Sequence, residues 1–323
     1  MTFDNVIESG RRRDHRLWAF FAGMFVVFAL LPLLDLGSWG MHIVILVMMY
    51  AGLAGAWGIL GGYAGQFSVG HSAFFGVAGY TMGILMARKI TGPWGGVLAG
   101  VILAMLLACL VGICTARLKG IFFTLTTFAL AEILRKLALF QDNLTGGPLG
   151  LSLVLPGVEK VQFYYLALAL MGSVFLALYL LERSRFGFYC MAIRENEDAA
   201  RATGINTSRI KLTATVVSAF FTGLGGAFYA AYIGVIEPDV VFSFNLSIKI
   251  IILAIIGGSG TLIGPILGAL IVIIPEEIIR GNLGGSYAGV SGIAYGLILI
   301  VVILLKPDGV RSLLAFAIPH KRD

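Results

Sequence analysis

Glu132 is the residue best placed to carry a proton, because it is the one acid in the apolar run 121–140. An acid at the centre of a membrane helix costs about 2.5–3.5 kcal/mol on insertion scales, so it is functional or paired. Arg135 and Lys136 follow at three and four positions, the order that pairs best on a helix. Proton carriage is the functional reading; an internal ion pair with its basic groups reaching outward is the plainer one. Lys249, near one end of its apolar segment, is expected at an interface. His15, His42, His71 and His320 show no His-x-x-His or His-Glu-x-x-His spacing, so no metal site is expected. His71 stands out because it closes GYAGQFSVGH at a span entrance, where it can cap a helix, bond a neighbour or border a path. Cys109, Cys114 and Cys190 are scattered and read as small buried thiols. There is no G-x-x-x-x-G-K-[ST], so this chain is not expected to hydrolyse ATP, and no catalytic residue is assigned.

The elements that must position these groups are membrane helices. The chain has 323 residues, 59% hydrophobic and 12% charged, with a mean hydropathy of +0.94. Soluble domains carry about 25% charged residues. Apolar runs of about 20 residues recur along the whole length, each long enough to cross a bilayer. No alternating ten-residue pattern suggests a barrel. The expected fold class is all-α, a polytopic transmembrane bundle of about 8–10 spans with glycine-broken helices, forming one domain over 1–323. Spans read as 17–34, 40–60, 71–87, 94–115, 121–140, 161–181, 212–236, a split region 246–280, and 287–305. The basic start followed by an apolar run resembles a signal peptide, but the run is long and lacks a small-residue cleavage site, so an uncleaved first span is expected.

Lys and Arg favour the cytoplasmic side. With the N-terminus inside, 16 of 23 basic residues fall on one face: Arg11, Arg12, Arg13 and Arg16, then Arg117 and Lys119, the six of the insert 182–211, and Lys306, Arg311, Lys321 and Arg322. A basic pI near 9.3 then needs no nucleic-acid partner. Two charge-free glycine-rich stretches, 61–70 and 257–268, interrupt apolar sequence. Non-helical backbone at membrane depth occurs where it is buried in protein or lines a cavity. Such breaks in both halves of a chain mark a translocation path. The segments 246–258 and 262–280 are either two spans or a re-entrant pair. Small residues four apart, as in Gly58/Gly62, Gly79/Gly83, Gly96/Gly100, Gly260/Gly264/Gly268 and Gly292/Gly296, chiefly allow close helix packing.

One charged stretch breaks the oily chain. Glu182 to Lys211 holds six basic and four acidic residues. Its core, AIRENEDAARATG from Ala192 to Gly204, favours helix through low-entropy side chains and charge pairs three or four apart. A short charged helix between two long spans suits docking to a soluble partner. Asp198-Ala199-Ala200-Arg201-Ala202-Thr203-Gly204 resembles the EAA-type loop of ABC importer permeases, with Asp198 where glutamate is usual and Gly204 ending the helix.

The chain as a whole looks like an M-type permease of the branched-chain amino-acid ABC importers, over about Ile43 to Gly309. The resemblance is carried by GYAGQFSVGH with the following AFFGVAGYT, RLKGIFFTLTTFALAEILR, LTGGPLGL, SRFGFYCMAIRENEDAARATGI and GGSGTLIGPILGA, in family order. A departure is FGFYCMAIR, where basic residues are more usual. The resemblance implies a pore formed with a second homologous permease subunit, two cytoplasmic ATP-binding subunits carrying ATP and Mg, and a periplasmic solute-binding protein. No cofactor would be bound by this chain, and the complex would sit in the bacterial inner membrane with both termini cytoplasmic. Arg194, Glu195, Asn196, Glu197, Asp198, Ala199, Ala200 and Gly204 would couple to the ATPase. Gly65, Gln66, Ser68, His71, Thr145 and the turn of Gly257, Gly258, Ser259, Gly260 and Thr261 would border the path. A proton-coupled transporter or channel using Glu132 or His71, a receptor with the insert as its dock, and an ABC permease for urea, amides or other amino acids stand as alternatives.

Overall fold

The computed structural model describes residues 23, 25–34, 37–116, 118–153, 157–283 and 296. Most of the expected first span, Arg117, Gly292, the span 287–305 apart from Gly296, and both terminal basic clusters lie outside the described residues.

After an apolar helix over Phe25–Leu34, ten helices carry the fold: α1 (Gly37–Trp57), α2 (His71–Ala87), α3 (Pro93–Thr115), α4 (Ile121–Phe140), α5 (Lys160–Arg183), α6 (Arg185–Glu195), α7 (Glu197–Ala202), α8 (Thr207–Ile233), α9 (Phe244–Gly257) and α10 (Gly264–Leu283). Two-residue strands β1 (Leu151–Ser152) and β2 (Val235–Ile236) pair antiparallel, Leu151 opposite Ile236. The protein is an all-α, multi-pass membrane bundle. Among the described residues, five stretches are long and apolar enough to cross a membrane: Gly37–Tyr63, Pro93–Thr115, Lys160–Arg183, Thr207–Ile233 and Pro238–Gly257. Helices α2, α4 and α10 run the same course but are shorter or carry charges.

Among the described residues, the long helices other than α9 run between two ends of the bundle. At one end lie α6 and α7. At the other, Arg135 of α4 pairs with Asp239, Lys160 of α5 donates to the Ser38 carbonyl, and the Tyr80 hydroxyl donates to the Ile236 carbonyl. Helix α9 starts part-way along the bundle, where Ser247 bonds Ser72 near the start of α2 and Phe244 packs on Phe128 of α4, and its glycine turn reaches the insert end before α10 returns.

Helix α1 is apolar on every side, which suits a central position, and 89% of its most apolar stretch is buried. It packs against α5 and α10, while α2, α3 and α8 form a second, tighter group. Glycine sets that spacing: a Cβ on Gly226 would lie 2.1 Å from the Phe75 carbonyl, and one on Gly100 2.5 Å from the Ala78 carbonyl. Close backbone approach of this kind holds helices together where lipid removes the hydrophobic drive.

Capping residues explain two departures from the expected boundaries. Asn206 accepts from the Arg209 amide, so α8 starts at Thr207 rather than 212 and takes Lys211 into the helix. Asn196 is extended (φ −159°, ψ 106°), and its Oδ1 accepts from the amides of Asp198 and Ala199. The expected single helix 192–204 is therefore two, α6 and α7, hinged at Asn196.

Candidate functional site

The insert is folded by its own polar residues. Ser184 caps α6 by accepting from the Gly187 amide. Helix α7 ends with Gly204 at φ +89°, the Gly204 amide donating to Arg201 O and the Ile205 amide to Ala200 O. That paired closure needs a left-handed residue, which glycine adopts without strain.

Two of its acids pair with lysines outside it, Glu197 turned inward and Asp198 on the surface. Glu197 is 11% exposed and lies 3.3 Å from Lys211 Nζ, itself 4% exposed, which also donates to Leu118 O. Asp198 pairs with Lys119 at 2.5 Å. The Lys119 ammonium, hydrogen-bonded to Asp198, holds that carboxyl below its ordinary range. Arg194, Glu195, Asn196, Asp198, Ala199, Ala202 and Gly204 are solvent-facing, whereas Ala200 and Cys190 are buried. Burial pushes the Cys190 thiol up to about 12, leaving it protonated and unreactive. Beside α7, an open groove of about 480 Å³ is walled by Phe188, Tyr189, Gly204, Ile205 and Arg209.

Beneath the insert lies the first glycine break. Helix α1 continues as a π turn, Gly58–Tyr63, and residues 64–70 then run non-helically into the bundle. Gln66, Ser68 and Val69 are buried, so their backbone groups must find protein partners. They do: Trp57 Nε1 donates to Ser68 O at 2.8 Å, Thr124 Oγ1 donates to Phe67 O at 2.7 Å, and the Val69 amide donates to Thr127 Oγ1 at 3.1 Å. At the end of this segment His71 Nε2 lies 2.8 Å from Ser218 Oγ, which donates to Ala56 O at 2.7 Å. Ser218 has one proton and spends it on Ala56, so Nε2 must be the donor and Nδ1 a bare acceptor. Gln66 Oε1 and His71 Nδ1 are buried without a hydrogen-bond partner.

The second break joins α9 to α10. Thr261 Oγ1 donates to Gly258 O at 2.8 Å and accepts from the Gly264 amide at 3.2 Å. Gly257 faces Gly264 so closely that a Cβ would lie 1.7 Å from the Gly264 carbonyl. The two breaks touch: a Cβ on Gly62 would lie 2.4 Å from the Gly260 amide. Arg194 joins them, donating from Nη1 to Gly62 O at 2.9 Å and packing on Gly65 and Gly260.

Gly65, Gln66, Ser68, His71 and Gly257–Thr261 thus gather on the insert side, with Arg194 of α6 among them. Thr145 does not join them. It lies at the far end, donating to Ala138 O and Gln141 O of its own segment. Glu132 is held through both oxygens by Arg135, at 2.5 and 2.9 Å. Lys249 is not interfacial: it pairs with Glu276 at 2.7 Å and sits 4.4 Å from the Tyr50 ring centroid. Glu276 also meets Arg280, which pairs with Glu277. The link from Lys249 to Glu276 gave no sequence signal, since the two lie on different helices, whereas Arg280 follows Glu276 and Glu277 at four and three positions on one helix. Ser218 and the Ser72–Ser247 pair, 2.9 Å apart, were equally silent.

The sequence model of the branched-chain amino acid transport system permease component matches residues 40–305. The high-affinity branched-chain amino acid transport permease protein LivM of Escherichia coli K12 is 27% identical over 296 residues, covering 82% of this chain and 68% of that protein. Its Salmonella typhimurium LT2 counterpart is 28% identical over 297 residues, with the same coverage. The ribose import permease protein RbsC of Escherichia coli K12 is 33% identical over 141 residues, 42% of each chain. No solved structure matches. The match spans most of the bundle, both glycine breaks and the whole insert, and the chain belongs to the branched-chain amino acid transport permease family.

Proposed function

We propose that this protein is the membrane subunit of an ATP-driven importer for branched-chain amino acids in the bacterial inner membrane. In this reading the insert and both termini face the cytoplasm. Two ATP-binding subunits, which carry ATP and Mg, grip α6 and α7. A second homologous permease completes the path, and a periplasmic solute-binding protein delivers substrate to the far end. Closure of the ATP-binding subunits moves the insert, and the bundle alternates its access.

One observation carries the reading: a solvent-facing charged insert rests directly on two glycine breaks that are partly buried in the bundle. The irregular first break is where the bundle changes shape at least cost, because its backbone bonds are held by side chains rather than by a continuous ladder, and the second, in contact with it, moves with it. Apolar surroundings suit branched aliphatic substrates, with selectivity set chiefly by the binding protein.

The test is reconstitution. Proteoliposomes holding this chain, its permease partner and the ATP-binding subunits, supplied with binding protein, are expected to take up labelled leucine, isoleucine or valine only with ATP. Deleting 192–204 is expected to abolish both uptake and co-purification of the ATP-binding subunits. Uptake by the lone chain under a proton gradient would overturn the reading. Uptake of urea or short amides in preference would overturn the substrate class alone.

A further inference from the structure

The geometry points to Arg194 as a coupling residue that acts inward, riveting the insert to both glycine breaks rather than gripping the ATP-binding partner. This rests on the proposed importer reading and adds a route that bypasses the flanking helices α5 and α8. Arg194 lies in the last turn of α6, on the insert. Its Nη1 donates to Gly62 O at 2.9 Å, and Nη2 pairs with Glu195 at 3.0 Å. Gly62 belongs to the π turn closing α1, so its carbonyl is among the last of that helix, which have no partner within it. Gly260 lies just beyond the Gly258 cap of α9, and a Cβ there would sit 3.0 Å from Arg194 Nη1. The cation therefore stands between the C-terminal ends of two helices, where the backbone dipoles favour positive charge.

The fit depends on missing side chains. A Cβ on Gly65 would lie 2.9 Å from Arg194 Cγ, and one on Gly260 would lie 3.0 Å from both Nη1 and the Gly62 carbonyl. Glycine at both places lets one arginine stem pass through. A planar fork can hold Gly62 and Glu195 together, whereas an ammonium is a single point charge. Most other ties of the insert go elsewhere, Asp198 to Lys119 between α3 and α4 and Glu197 to Lys211 on α8, while Glu182 at its start accepts from the Tyr63 hydroxyl on the first break but does not reach the second. Arg194 alone, among these, reaches both α1 and the α9–α10 turn. A tilt of the insert thus moves both breaks together.

The experiment uses the reconstituted complex and reads three things: co-purification of the ATP-binding subunits, ATP hydrolysis, and leucine uptake. Arg194→Ala is expected to keep co-purification while uptake falls about tenfold, so more ATP is spent per leucine carried. Arg194→Lys is expected to restore part of the uptake. Gly260→Ala, which wedges a methyl beside Nη1, is expected to raise the same ratio and guards against an Arg194→Ala chain that does not fold. Unchanged ATP spent per leucine in Arg194→Lys and Gly260→Ala would overturn the inference. So would loss of co-purification in a well-folded Arg194→Ala complex, which would move Arg194 to the docking surface and leave the importer reading intact. Failure of the unmodified chain to bind any ATP-binding subunit would sink the importer reading itself.

Discussion

The two glycine breaks look alike in sequence and are built differently. Residues 64–70 form an irregular segment in which side chains from elsewhere, Trp57 on α1 and Thr124 and Thr127 on α4, meet the Ser68 and Phe67 carbonyls and the Val69 amide. The 257–264 break is short and self-contained, closed by Thr261 and by backbone packed on backbone at Gly257 and Gly264. The first can be reshaped by exchanging one side-chain bond at a time. The second has no slack: its helices move as one hairpin or separate. A bundle with one pliable break and one rigid turn in contact has a natural division of labour, in which the hairpin transmits and the irregular segment yields.

The sharpest way to break this comparison is to put a methyl into the rigid turn. Gly257→Ala places a carbon 1.7 Å from the Gly264 carbonyl, a backbone atom with nowhere to go. Overpacking costs about 1–3 kcal/mol and occasionally more; here about 3 kcal/mol is expected. A thermal melt in detergent is expected to show a large loss, with little protein reaching the membrane. A near-native melt would mean the hairpin opens easily.

Gly62→Ala probes the contact between the breaks. The new methyl would meet the Gly260 amide at 2.4 Å. Because Gly62 lies on the pliable side, the clash can be relieved by a shift of the π turn, and about 1–2 kcal/mol is expected. Uptake by the reconstituted complex is expected to suffer more than the melt does. Equal losses at Gly62 and Gly257 would erase the distinction between the two breaks.

How much of this was legible in the sequence follows the same division. Both breaks announced themselves, because charge-free runs of glycine in apolar sequence have few other uses. Gly204 as a helix stop was equally plain. The hinge at Asn196 was missed although its signal was present: asparagine followed by Glu197 and Asp198 is a helix start, since the side chain caps and the acids favour the positive end of the dipole. Arg194 was legible as part of the insert but not in its direction, because whether an arginine at the end of α6 turns outward or inward depends on where α1 and α9 end. Lys249 and Glu276 were out of reach for a stronger reason. Their pairing exists only once α9 and α10 lie side by side, and no periodicity along one helix encodes it. Thr145 was placed with the path because its motif resembles one; its hydroxyl instead closes a short helix at the far end.

Thr127→Val tests the pliable side by a smaller step. The substitution keeps shape and removes the acceptor of the Val69 amide, leaving a buried donor unpaired. An orphaned buried donor costs about 1–3 kcal/mol, and about 1.5 kcal/mol is expected. Thr127→Ser, which keeps the oxygen, is expected to recover most of it in the same melt. If valine were tolerated without loss, residues 64–70 would owe their path to packing alone.

Thr261→Val is the mildest probe and the most discriminating for the rigid turn. Its hydroxyl makes two bonds, but both ends are backbone groups of the same short turn, and the residue is only partly buried. Water can replace one partner there. Polar contacts between membrane helices average about 0.6 kcal/mol, so a loss of about 0.5–1 kcal/mol is expected, well below that of Thr127→Val. The order is what matters: in the irregular segment hydrogen bonds carry the structure, whereas in the turn the close approach of Gly257 to Gly264 carries it and the hydroxyl only trims the fit. A Thr261→Val melt as low as that of Gly257→Ala would reverse that order and make the turn, not the irregular segment, the part held by side chains.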